Sequence, residues 1–142
     1  LNDFYSQEDC WLTYGSYVEY PSGAVGKFSK KVPQAVIENN TFRKSPWYSS
    51  HLRTFKFHLW DSIDKSDLLD TEGDFYKMAW DLSFMLPMLE MAATRSSYIP
   101  KIMYVYNLSN PLNDHKVDNS YQMRLEREIR NKNPYRLKKT IC

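Results

Sequence analysis

The hydrophobic pattern divides the chain into short strand-like and helix-like stretches separated by turn residues. Residues 10–20 (CWLTYGSYVEY) are aromatic and β-prone and predict a strand. Turn chemistry follows at 21–24, and 25–29 predicts the return arm of a hairpin. Pro33 suits the first turn of a short helix through residue 42, and 43–50 predicts a loop. Leu52, Phe55, Leu59 and Ile63 recur at helical spacing, so 52–63 predicts a helix. Acidic residues dominate 61–74, a predicted surface loop that Gly73 breaks. A helix around Asp81 follows, with Pro87 kinking it or opening its second segment. Residues 98–106 (YIPKIMYVY) predict a buried strand and 107–114 a turn-rich loop. A last helix is predicted over 117–131, with Tyr121, Leu125 and Ile129 on one face. The first ten residues read as the end of a helix and a turn. The mixture predicts an α/β or α+β arrangement with two to four strands and about four helices.

One position breaks this pattern. Asp81 lies within residues 74–92 (DFYKMAWDLSFMLPMLEMA), a run otherwise almost wholly apolar and aromatic. An ionised carboxylate is costly to bury without a partner. Asp81 therefore either caps the helix, as Asp does at the positive end of a helix dipole, or does chemistry at its mouth.

Composition narrows the class. Hydrophobic residues at 42% and charged residues at 25% of the 142 are ordinary for a globular chain, and the length is that of one domain or part of one. Aromatics reach 15%, which suits either a core or a surface that stacks on sugars or bases. No apolar run is long enough to span a bilayer, and the N-terminus carries no signal-peptide pattern. Cys10 and Cys142 lie near the two ends and form no metal or redox spacing, so a reducing, cytoplasmic setting is expected. Residues 124–139 hold seven Lys or Arg against two Glu, while the whole chain is only +2, so the rest is net acidic. A basic tail over about 132–142 can meet nucleic acid, acidic lipid or a phosphorylated ligand. It also fits a solvated amphipathic helix with a frayed end. No nucleic-acid motif accompanies it, and no nucleic-acid partner is expected.

Four segments in order carry a family resemblance: residues 11–23 (WLTYGSYVEYPSG), 50–55 (SHLRTF), 78–91 (MAWDLSFMLPMLEM), and 102–107 (IMYVYN) with 110–117 (NPLNDHKV). Together they resemble the C-terminal, acceptor-side half of a family 2 glycosyltransferase of the GT-A fold, over about residues 1–137. The resemblance makes residues 1–142 a partial glycosyltransferase domain. It implies transfer of a sugar from a nucleotide-sugar donor to an acceptor hydroxyl, with Mg²⁺ or Mn²⁺ in the complete enzyme.

Inverting sugar transfer needs a carboxylate to take the acceptor proton. The position that matches the family's base is Asp81, preceded by Trp80 where the family more often has an acidic residue. The resemblance further implies metal or diphosphate contact at His115 and Lys116, and donor or acceptor contact at His51 and Arg53. It also implies sugar stacking on Trp47, Tyr48 and Trp80. The family's Asp-x-Asp metal motif does not occur in this chain. A missing N-terminal nucleotide-binding half is therefore expected, or self-association through an apolar edge that such a half would cover. The alternative is a binding or interaction module that keeps part of the fold without catalysis. A nucleic-acid-associated protein using the basic tail is the third class considered.

Overall fold

The computed structural model describes residues 1–6 and 9–140, and for His115 the backbone alone. Cys142 and the end of the basic segment lie outside the described residues. The fold is mixed α/β, with a three-stranded sheet of order β2-β1-β3. Strand β1 (Leu12–Tyr20) is central. Strand β2 (Thr54–Phe55) pairs antiparallel with its start, and β3 (Ser96–Asn107) pairs parallel along its whole length. From Leu12 to Tyr17 every residue of β1 is buried, as expected of a strand covered on both faces. The register slips between Gly15 and Tyr17, where Ile99 faces Gly15 but Ile102 faces Ser16. Pro100 falls in that irregularity, where its missing N–H costs no ladder hydrogen bond.

Two thirteen-residue helices dominate the rest: α4 (Trp80–Ala92) and α6 (Asn119–Asn131). Four shorter ones are α1 (Asn2–Tyr5), α2 (Gln34–Glu38), α3 (Phe57–Asp61) and α5 (Asp114–Val117). Helix α4 is apolar around its circumference, so it is buried on nearly every side. Met85, Leu86 and Leu89 join Trp11, Leu12 and Tyr14 of the β1 region in one core. Pro87 is accommodated inside this helix without ending it. Helix α6 is amphipathic and turns Leu125 and Ile129 into the same core, while Asp118 caps it by accepting the Tyr121 N–H at 2.9 Å. No helix among the described residues is long and apolar enough to cross a membrane.

Four expectations need correction. The strand expected to be buried over 98–106 forms, but of β3 only Ile99 is buried. The helix expected over 52–63 forms only as Phe57–Asp61, because Thr54 and Phe55 pair with β1 instead. Thr54 is held there by its hydroxyl, 2.5 Å from that of Thr13 and 2.8 Å from that of Tyr5. A free strand edge thus overrides local helical periodicity. The return arm over 25–29 reduces to isolated bridges, Val18 with Val25 and Ser29 with Ser49. Gly26 sits where the ring of Tyr17 packs on it, and a Cβ there would lie 2.0 Å from that ring. The last helix starts at Asn119, with Asp118 separating it from α5.

One buried ion pair ties these pieces together. Arg43 donates from Nε to Glu90 Oε1 at 2.7 Å and from Nη2 to Oε2 at 3.1 Å, and its Nη1 reaches the Ile129 carbonyl at 2.7 Å. Glu90 also accepts the Tyr135 N–H at 2.9 Å. Burial pushes the Glu90 carboxyl above its ordinary value while Arg43 pulls it down. The basic segment after α6 runs back along this site. Tyr135 bonds Asp67 and Asp64, Lys132 reaches the Ser66 and Leu69 carbonyls, and the Lys138 N–H meets the Met91 carbonyl.

Removing one partner of a buried pair leaves an uncompensated charge, so Arg43→Ala is expected to cost about 3–5 kcal/mol. The double change Arg43→Met with Glu90→Leu is expected to cost less than either single truncation. Urea denaturation of the three variants checks both statements.

Candidate functional site

Asp81 is placed by the chain's entry into α4. Ala79 adopts φ +53°, a left-handed turn immediately before the helix. Asp81 then occupies the first turn, where its Oδ1 accepts the Leu82 N–H at 3.1 Å. Its Oδ2 lies 2.8 Å from Nη2 of Arg53. The residue therefore satisfies the helix start and also faces a cleft of about 990 Å³.

The cleft lies along the C-terminal halves of the parallel strands β1 and β3. Tyr17 and Glu19 of β1 and Tyr106 of β3 line one wall. Trp47, His51 and Arg53 come from the connection leading to β2. Residues 43–46 and α6 form the opposite wall, with Lys44, Gln122 and Glu126. Arg130 stiffens that wall by donating to the carbonyls of Arg43 and Ser45 at 3.0 and 2.9 Å and pairing with Glu126 at 2.8 Å. Gln122 contributes a buried Oε1 without a hydrogen-bond partner among the described residues.

The Arg53 guanidinium is the hub. Its Nε donates to the Ser49 carbonyl at 3.2 Å, its carbon lies 5.7 Å from the Trp47 ring centre, and its Nη2 meets Asp81. One guanidinium nitrogen thus holds one oxygen of the carboxylate, while a second is fixed on the Ser49 carbonyl. His51 stacks on Tyr104, with ring centres 4.5 Å apart and planes 16° apart, and its edge faces Tyr17. Its Nδ1 is 3.2 Å from the Ser50 hydroxyl. Burial pushes the His51 imidazole down to about 4; Arg53 lowers it further and Asp81 opposes. The ring is thus neutral at physiological pH and acts as part of an aromatic wall. Gly15 allows this segment to lie close to β1, since a Cβ there would meet the Leu52 nitrogen at 3.3 Å.

Of the residues singled out in the sequence, Asp81, His51, Arg53 and Trp47 converge on the cleft. Tyr48 packs against the core. Trp80 leaves the helix start in another direction and lines a separate groove. The Lys116 ammonium donates to the Leu108 carbonyl; Leu108 borders the cleft and Lys116 does not. The His115 side chain lies outside the described residues. Tyr17, Glu19 and Tyr106 were not singled out, though period-two spacing puts Tyr17 with Glu19, and Tyr104 with Tyr106, on shared strand faces. Lys44, Gln122 and Glu126 carried no such signal.

Among the described residues, no group of three or more His, Cys, Asp or Glu converges as metal ligands would. No protein-family model, curated protein or solved structure matches this chain.

The displaced His51 titration has a stability consequence. Above pH 6.5 the imidazole is neutral in the folded and unfolded chain alike. As pH falls from about 6.5 toward 4, the unfolded chain takes up a proton that the folded site resists. Stability is expected to decline through that window, and less so in His51→Gln. Urea midpoints against pH, with an NMR titration of His51 centred near 4, test this.

Proposed function

We propose that this chain forms the acceptor-side part of a sugar-transfer site of the family 2 glycosyltransferase type, with Asp81 as general base. The observation that carries the reading is the placement of Asp81. It stands in the first turn of a buried helix, faces a large cleft, and has one oxygen oriented by Arg53. In the proposed reaction an acceptor hydroxyl oxygen attacks the anomeric carbon of a nucleotide-sugar donor. The bond from that carbon to the diphosphate breaks, the leaving group keeps the electron pair, and the hydroxyl proton passes to Asp81. Attack opposite the leaving group inverts the anomeric centre.

Other cleft residues suit that task. Trp47 and Tyr106, both partly exposed, offer flat apolar surfaces against which a sugar ring packs. Lys27 and Lys44 bring positive charge toward a departing diphosphate. In this reading, Mg²⁺ or Mn²⁺ and the nucleotide pocket belong to the nucleotide-binding half, and the residues here position the acceptor. A second reading is a non-catalytic module that binds a hydroxylated ligand. The Arg53–Asp81 pair favours it, because one oxygen that a base would use is already engaged.

The two readings separate on Asp81→Asn. Joined to the nucleotide-binding half the reading requires, the enzyme should lose about 10²–10⁴-fold in turnover, since general-base catalysis contributes that much. Its melting temperature and acceptor binding should stay close to those of the parent. Undiminished transfer rejects Asp81 as base. Acceptor binding without transfer in parent and variant alike supports the binding module. The 142-residue chain alone is expected to show no micromolar affinity for nucleotide sugars in calorimetric titration with Mn²⁺.

A further inference from the structure

A second concavity, of about 500 Å³, lies on another side of the α4 start. Its floor and walls are aromatic. Phe84 sits between two indoles, with its ring centre 5.8 Å from Trp60 and 5.7 Å from Trp80. Phe75 completes the wall from the neighbouring turn. These rings are not sealed in the core, for Trp60 is 39%, Trp80 55% and Phe75 60% exposed. These three open aromatics differ from the chain's other exposed apolar side chains in being grouped around one hollow.

The hollow is also firm. The turn carrying Phe75 is closed by its bridge to Leu69 and by the Asp70 carboxylate, which accepts the Glu72 and Asp74 N–H groups. The Tyr76 hydroxyl anchors it to α6 through Glu128 at 2.8 Å. Trp60 rests on Phe55, with planes 15° apart. Two charged side chains, Asp61 and Lys65, stand at the lining and make no ion pair or side-chain hydrogen bond with the described residues.

We propose that this groove is a saccharide-binding site, distinct from the cleft that Asp81 faces. A pyranose ring combines an apolar face of C–H groups with a rim of hydroxyls. Open indole and phenyl faces match the first, and an uncommitted carboxylate and ammonium match the second. The proposal goes beyond the reading of the cleft and holds whether or not the cleft transfers sugar. Trp80 and Asp81 are adjacent, so the two sites share the start of one helix and diverge from it.

The test is titration of the chain with cellohexaose, chitohexaose and laminarihexaose, read by tryptophan fluorescence and calorimetry. At least one should bind saturably, and Trp60→Ala and Trp80→Ala should each weaken it about tenfold, as loss of a stacking face does. Tyr20→Ala, at an exposed ring that lines neither concavity, should leave that affinity within about twofold. Phe75→Ala is a further arm whose exposed position spares the fold, and circular dichroism checks each variant. Absence of saturable binding by all three sugars overturns the proposal. So does binding lost in Trp47→Ala but kept in Trp60→Ala and Trp80→Ala, which would assign the ligand to the cleft. Concentration-dependent dimerisation abolished by Trp80→Ala, with no sugar effect, would assign the groove to a second copy.

Discussion

The bidentate pair between Arg43 and Glu90 is the constraint on which the rest depends. Glu90 lies on the apolar, buried part of α4 at the centre of the core, where a lone carboxylate would be prohibitive. Arg43 satisfies both of its oxygens, and its third contact reaches the last turn of α6. The N–H of Tyr135 completes the carboxylate's shell and draws the C-terminal segment across the same point. Four separate parts of the chain thus meet at one group. A hydrophobic contact could tolerate sliding between them; a forked hydrogen-bonded pair fixes both distance and direction.

That anchoring sets the geometry of the cleft. Asp81 is nine positions before Glu90 on one continuous helix, roughly 13 Å away at the usual rise per residue. With Glu90 held, the helix projects its N-terminal turn toward the ends of β1 and β3. The same pair holds residues 43–46 as one wall of the cleft, while Arg130 straps that wall to α6. The remaining wall is aromatic, built from alternating strand positions and the stacked His51. A charged pair is thereby set in a rigid, partly desolvated frame, where electrostatic orientation counts for more than in bulk water.

The sequence made several of these features legible and concealed others. The central strand and long β3 were clear from dense β-prone residues, and the face of α6 from the spacing of Leu125 and Ile129. Asp81 stood out because a carboxylate in an apolar run demands a partner, although nothing local named Arg53. Glu90 sits in the same run and drew no notice, since its partner is 47 positions away. The helical spacing at 52–63 misled because the vacant edge of β1 recruited Thr54 and Phe55. Trp80 neighbours Asp81 in the chain but departs from the helix in another direction, so adjacency did not imply a shared site.

What the sequence determined by itself was local. It set the alternation that makes strands, the apolar helix that must be buried, the aspartate suited to a helix start, and the supply of aromatic rings. What only the tertiary structure decided was pairing: Arg53 with Asp81, Arg43 with Glu90, His51 with Tyr104, and the basic C-terminal segment with the core. The physical reason is that propensity and periodicity act over a few residues. Burial and hydrogen bonding act between groups the chain brings together from far apart, and a cleft exists only once those distant walls have met.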